Sequence, residues 1–185
     1  EALIEFFRHL KEVKKSKLNN ILKDNSIVIQ GVGKVGYHFL KSLFHLYPNC
    51  KIIAILEHNG SLISPEGIDI PLFLKKYESQ KDISKIKIPK TKFQNENAIE
   101  KFPCDILVPC AKENVIDQKI AKIIKTKLII EAANGPVTFN GDQILRKRGI
   151  TVLPDIYINA GGVVVSYFEW VKNISQIRFG RLRKR

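Results

Sequence analysis

Apolar positions recur at helical intervals over residues 2–23, ALIEFFRHLKEVKKSKLNNILK, until Asp24 and Asn25 interrupt them. The short unbroken run SIVIQ then predicts a buried strand. Helical spacing returns over residues 34–47, with Val35, Phe39, Leu43 and Leu46 repeating, and Pro48-Asn49 stops it. KIIAIL predicts a second strand ending at Glu57, HNGSLISPEG a turn-rich loop, and IDIPLFLKKYESQ a short helix. Residues 81–101 are polar, lysine-rich and poorly periodic, which predicts irregular surface.

The second half repeats the alternation. DILVP, KLIIEA and ITVLPD read as strands, separated by a helical VIDQKIAKIIKT and a helix around residues 142–147. A last helical pattern, residues 161–173, holds the only tryptophan, Trp170, and carries Val164, Phe168 and Val171. β-branched strands separated by helices predict right-handed strand-helix-strand units. The expected fold is α/β and doubly wound, a mostly parallel sheet with helices on both faces, in one domain over 1–185.

This alternation decides how IVIQGVGKVGYHFL is read. An ATP-type phosphate loop would need glycine at position 28 and Ser or Thr after the lysine, where the chain has Val28 and Val35. Gly31, Gly33 and Gly36 instead form a Gly-x-Gly-x-x-Gly run between a strand and a helix. There Gly31 permits the tight turn, Gly33 lets backbone approach a pyrophosphate, and Gly36 lets helix pack on strand. Phosphate would meet the exposed N–H groups at the positive end of the helix. Glu57 closes the second strand, 57 − 31 = 26 positions on, where a carboxylate accepts hydrogen bonds from a ribose. The plainer alternative is a structural turn. Three more turn-like segments, VPCAKEN, EAANGPVT and PDIYINAGG, follow the third, fourth and fifth strands, where such folds bind ligands.

Composition narrows the classes. A chain of 185 residues with 44% hydrophobic content can bury a sizeable core. The net charge of +13 raises nucleic acid or an acidic partner, but the lysines are scattered, with one dense cluster in the terminal RLRKR, and a solvated surface is the reading adopted over a nucleic-acid site. Cys50, Cys104 and Cys110 form neither a disulfide framework nor a zinc spacing, and a reducing compartment, cytoplasmic or mitochondrial, is expected. His9, His38, His45 and His58 show no metal-ligand spacing, so no metal is expected. No apolar run reaches membrane-span length, and EALIEFF is no cleavable signal.

EAANGPVT, LPDIYINAGGVVVSYFEW and SPEGID resemble the cofactor domain of the glutamate dehydrogenase family, over a stretch from Ser26 to Arg181. VSYFEW is similar to the glutamate enzymes rather than the leucine, phenylalanine or valine members, and RFGRL to the region that follows in larger hexameric ones.

The resemblance implies a Rossmann-like domain that binds NAD, with NADP possible. Gly31, Gly33 and Gly36, with the intervening Val32, Lys34 and Val35, would hold the pyrophosphate. Glu57 would hold the adenosine ribose beside His58, and Cys110 and Ala111 would line the cofactor's path. Asn134 and Asn159 would meet the nicotinamide side, and Val163 and Ser166 would reach L-glutamate or 2-oxoglutarate. For Val163 and Ser166 the alternative is helix packing, with the Ser166 hydroxyl on the Gly162 carbonyl.

Family members usually carry Asn at Lys34, Gly at Ala132 and Ala at Cys110. Lys34 adds a charge near phosphate, and Ala132 removes a permissive backbone position. The family's catalytic lysine and aspartate belong to a separate substrate domain, expected to be absent here together with the C-terminal helix. The 185 residues alone are therefore expected to be inactive, and the longer enzyme to be a homo-oligomer, a hexamer by resemblance. A non-catalytic nucleotide-binding module and a basic nucleic-acid-binding protein are the alternatives.

Overall fold

The computed structural model describes residues 2–175, the side chain of Ser175 excepted; RLRKR and RFGRL lie outside that range. Seven strands form one sheet in the order β4-β3-β2-β1-β5-β6-β7. Five are parallel: β1 (Ser26–Gln30), β2 (Lys51–Glu57), β5 (Ile106–Pro109), β6 (Leu128–Ile130) and β7 (Thr151–Leu153). β1 is central, and Ile27, Val28 and Ile29 are fully buried, as a strand covered on both faces must be. Its alternate side chains feed two cores. Ile27 and Ile29 pack with Leu40, Ile55 and Phe73, whereas Val28 packs with Leu56, Ile116 and Leu145 on the other face.

Helix α3 (Lys34–Leu46) returns the chain from β1 to β2 and buries Leu40 and Leu43. Helices α4 (Ile70–Gln80), α5 (Gln118–Ile123) and α6 (Phe139–Lys147) each start under a side-chain cap. Asp69 accepts from Leu72 N–H, Asp117 from Lys119 and Ile120 N–H, and Thr138 from Gly141 N–H. Arg148 closes α5 from its neighbour, donating to the carbonyls of Ala121 at 2.6 Å and Ile124 at 2.8 Å. At the N-terminal end of the parallel strands, Asp105 accepts from Ser26 and pairs with Lys127 at 2.6 Å.

Four expectations change. The N-terminal helix is two pieces, α1 (Ala2–Arg8) and α2 (Leu10–Lys15), broken at His9. Lys17 then turns left-handed at φ 57°, which carries Leu18 and Leu22 into the core instead of along a helix. The turn-rich loop contains β3 (Gly60–Ile63), which pairs antiparallel with β2 across the two-residue His58-Asn59 loop. The stretch at 81–101 adds edge strand β4 (Lys92–Gln94) and buries Ile83, Ile86, Ile88 and Ile99. Isoleucines outside any helical or alternating period gave no periodic signal, yet they cap the sheet edge.

Finally, a short α7 (Asp155–Ile158) precedes the last helix, α8 (Ala160–Ser175). Val163, Val164, Tyr167, Phe168 and Trp170 on α8 are all at least half exposed. No described helix is long and apolar enough to cross a membrane.

Candidate functional site

Chain direction reverses about β1. The chain runs outward through β2 to β4 and then crosses back to place β5 on the other side of β1. At such a switch point the loops after two neighbouring strands part and leave a crevice. Here the loops are the glycine turn after β1 and the Cys110-Ala111 segment after β5.

Their approach is very close. Gly31 sits at φ 89°, and a Cβ there would lie 2.7 Å from the Ala111 side chain. At Gly36 a Cβ would run into the Gly31 carbonyl oxygen, so the first turn of α3 presses on the glycine turn itself. At Gly33 nothing lies within 4 Å of an added Cβ. Gly31 and Gly36 are therefore demanded by packing, while the space beside Gly33 is open to a ligand.

Gly33 is also the N-cap of α3, and no side chain caps that helix. Its first turn carries no acidic residue and exposes Lys34 and Val35 to solvent. A cation at the positive end of a helix is unfavourable by itself and becomes favourable beside an anion. Glu57 stands at the end of β2, where one carboxylate oxygen accepts from Val32 N–H and the other lies 3.5 Å from His58 Nδ1. A carboxylate has about four lone-pair positions, so this anchoring leaves acceptors for a ligand. Asn97 holds the strand end from behind, donating to the carbonyls of Glu57 at 2.9 Å and His58 at 3.0 Å.

Successive strand-end loops are fastened by backbone bonds. Cys110 N–H donates to Gln30 at 2.7 Å, Ala133 N–H to Pro109 at 2.9 Å, and Glu131 N–H to Leu153 at 3.0 Å. Two cavities open along this edge. One of about 550 Å³ is lined by Gln30, Gly31, Glu57, His58, Asn97 and Lys112 among others; the second, of about 410 Å³, is lined by Val35, Cys110, Ala111, Ala132, Asn134 and Asn159. Ala111 and Lys112 border both. Inside the first, Gln30 Oε1 is buried without a hydrogen-bond partner, a state that normally implies a missing donor. A larger hollow of about 1150 Å³ lies between α1, α3 and the α7–α8 region; Ile130 at the end of β6 and Tyr157, Ile158, Gly161 and Gly162 of the segment after β7 line it, whereas the glycine turn does not.

The structure thus gathers Gly31, Val32, Gly33, Lys34, Val35, Gly36, Glu57, His58, Cys110, Ala111, Asn134 and Asn159 along one edge. Asn134 and Asn159 touch: Asn159 Nδ2 donates to Asn134 Oδ1 at 2.9 Å. Ala132 needs no glycine, because its φ is negative and Gly135, at φ 53°, takes the left-handed turn instead. Burial pushes the Cys110 thiol up to about 12, so it is a packing group and not a nucleophile.

Val163 and Ser166 are not brought to either cavity. Both are exposed on α8, and the Ser166 hydroxyl donates to the Gly162 carbonyl at 3.0 Å. A hydroxyl so engaged still accepts, but it donates to a carboxylate only after rotating away. Ser166→Ala is accordingly expected to change the stability of this chain by less than about 0.5 kcal/mol, read from a urea titration. Gln30, Asn97 and Lys112 were not singled out from sequence, since no spacing distinguishes them from ordinary polar residues.

Residues 6–182 match the family model described as glutamate/leucine/phenylalanine/valine dehydrogenase. The chain is similar to a mitochondrial glutamate dehydrogenase of Dictyostelium discoideum, 45% identical over 182 residues, which is 98% of this chain and 36% of that protein. The catabolic NAD-specific glutamate dehydrogenase RocG of Bacillus subtilis is 43% identical over 152 residues, 82% of this chain and 35% of the relative. A solved glutamate dehydrogenase of Peptoniphilus asaccharolyticus superposes with a TM-score of 0.66 at 34% identity, covering 92% of this chain and 38% of that one. The chain therefore spans about a third of the length of the curated relatives it matches.

Proposed function

Because this chain belongs to the glutamate/leucine/phenylalanine/valine dehydrogenase family, we propose that it is the NAD-binding domain of a glutamate dehydrogenase. The observation that carries the reading is the pair of adjoining cavities at the switch point, one holding Glu57 and the other Asn134 and Asn159. In this reading they take the two halves of a dinucleotide, and the uncapped α3 N-terminus, with Gly31 lining the first cavity and Val35 the second, offers its N–H groups to the pyrophosphate.

A bound nicotinamide supplies the hydride acceptor for oxidative deamination of L-glutamate to 2-oxoglutarate and ammonia. The residues here bind and orient. Backbone N–H groups after Gly33, with Lys34, hold pyrophosphate; Glu57 accepts from the adenosine ribose and disfavours a 2′-phosphate; Asn134 and Asn159 fix the nicotinamide half. NAD is the favoured cofactor, with NADP admitted. In this reading the ketone-activating lysine and the proton-moving aspartate stand on a substrate domain outside these residues, and the complete enzyme is a homo-oligomer.

Titration of the 185-residue chain with NADH, followed by nicotinamide fluorescence, is expected to show saturable binding. Absence of saturation by about 1 mM, the upper end of ordinary enzyme affinities, would remove the cofactor reading. Glutamate-dependent NADH formation is expected only when a substrate domain is joined to this chain, and turnover by these residues alone would overturn that division of labour.

A further inference from the structure

Glu131, a carboxylate only 7% exposed, follows the last residue of β6 and opens the segment that carries Asn134. Its Oε2 reaches across to the next strand-end loop and accepts from Asp155 N–H at 3.0 Å, at the first turn of α7. Asp155 answers in the reverse direction, its Oδ2 accepting from Gly135 N–H at 2.8 Å. At the far end of α7, Asn159 N–H donates to the Asp155 carbonyl at 2.8 Å. Each loop thus offers the other a carboxylate, and the two bonds flank the Asn159–Asn134 contact.

We propose that Glu131 and Asp155 form a reciprocal bridge whose task is to hold Asn134 and Asn159 as one pre-set unit toward the nicotinamide half of the cofactor. Both are positioning residues. The inference rests on the cofactor reading above and adds to it a cause for the geometry of the second cavity.

Three observations support the role. The contact consumes Asn134 Oδ1 and one Nδ2 hydrogen of Asn159, leaving Asn134 Nδ2 as donor and Asn159 Oδ1 as acceptor. Both residues line the same cavity, and a neighbouring donor and acceptor complement a carboxamide or a ribose hydroxyl. Second, a buried carboxylate is costly to keep. Burial raises the Glu131 pKa, the Asp155 and Asp142 charges add to the rise, and the Asp155 and Val137 backbone bonds only partly oppose it. A site whose sole duty were packing would be served by an apolar side chain of similar size. Third, among the described residues no backbone–backbone bond joins residues 132–135 to residues 155–159, so the bridge supplies the constraint between the segments that carry Asn134 and Asn159.

Two probes separate the halves: NAD, and ADP, which lacks both the nicotinamide ring and the ribose that bears it. Calorimetric titration of Glu131→Ala is expected to show NAD affinity about tenfold weaker, the effect of one lost charged hydrogen bond, and ADP affinity changed less than about twofold. Glu131→Gln should restore most of the loss, because its amide oxygen still accepts from Asp155 N–H. If Glu131→Ala does not fold, Asp155→Ala, at the more accessible end of the bridge, decides, with the same expected split between the probes. Unchanged NAD affinity, or an equal fall for both probes, overturns the bridge as a positioning device. If the unaltered chain binds neither probe, the cofactor reading fails and takes the bridge's role with it; if it binds both while the variants show no split, only the bridge fails.

Discussion

Replacing Gly36 by alanine is expected to lower the melting temperature by about 10 °C. In a helix interior the exchange normally stabilises, by about 0.5–1 kcal/mol, because alanine restricts the unfolded chain. Here the new Cβ would run into the Gly31 carbonyl oxygen and lie 2.9 Å from its carbon and 3.4 Å from the Cys110 side chain. The obstacles are backbone at the most constrained turn of the molecule, with Gly31 already at φ 89° and bonded to the Leu56 carbonyl at 2.7 Å. Overpacking that cannot relax costs about 3 kcal/mol, which for a chain of this size converts to roughly the stated shift. Circular dichroism melts of Gly36→Ala and Gly33→Ala provide the comparison. At Gly33 an added methyl meets nothing within 4 Å, so that variant should melt with the parent and lose NADH affinity instead. Equal stability of Gly36→Ala and the parent would refute the close-packing role; unaltered NADH binding by Gly33→Ala would refute the proposed pyrophosphate contact.

Glu57→Ser is expected to shift the ratio of NADP to NAD affinity toward NADP by about tenfold to a hundredfold, the range for hydrogen bonds to a charged group. Two effects act in the same direction. Serine removes a carboxylate acceptor from the NAD ribose, and it removes a negative charge that would face the 2′-phosphate of NADP. Glu57 is fixed for this by Val32 N–H and by the Asn97 side chain on its own carbonyl. His58, at 3.5 Å, lies close enough to moderate the charge. Parallel titrations with both cofactors read the ratio directly, and an unchanged ratio would take Glu57 out of the cofactor site while leaving its bond to the glycine turn intact.

Much of this architecture was legible because it is written in local periods. Five parallel strands, α3 and the glycine turn follow from short apolar runs, a 3.6-residue spacing and glycines at fixed offsets, all properties of neighbours in the chain. The position of Glu57 at the end of β2 followed equally, since strand length and turn chemistry place it without reference to the rest of the fold.

Other features exist only through contacts between distant residues. β4 is a strand because Phe93 finds Leu62 across the edge of the sheet, and the three residues Lys-Phe-Gln carry no sign of that pairing. Ile83, Ile86 and Ile88 become core because β3 and α4 leave an edge to cover. The apolar stripe of α8 reads like a buried helix, yet burial depends on what lies opposite, and within the described residues nothing covers Trp170, 59% exposed. The glycine spacing announced a turn, but the steric reason for Gly31 and Gly36 is the approach of Ala111 and of the turn's own carbonyl. Likewise Glu131 and Asp155, 24 positions apart, are ordinary acids in the sequence. The bonds from Asp155 N–H to Glu131 and from Gly135 N–H to Asp155 arise only when β6 and β7 pair and bring the two loops side by side. Sequence determined the elements and the chemistry available at their ends; the parallel pairing of the strands decided which of those ends meet.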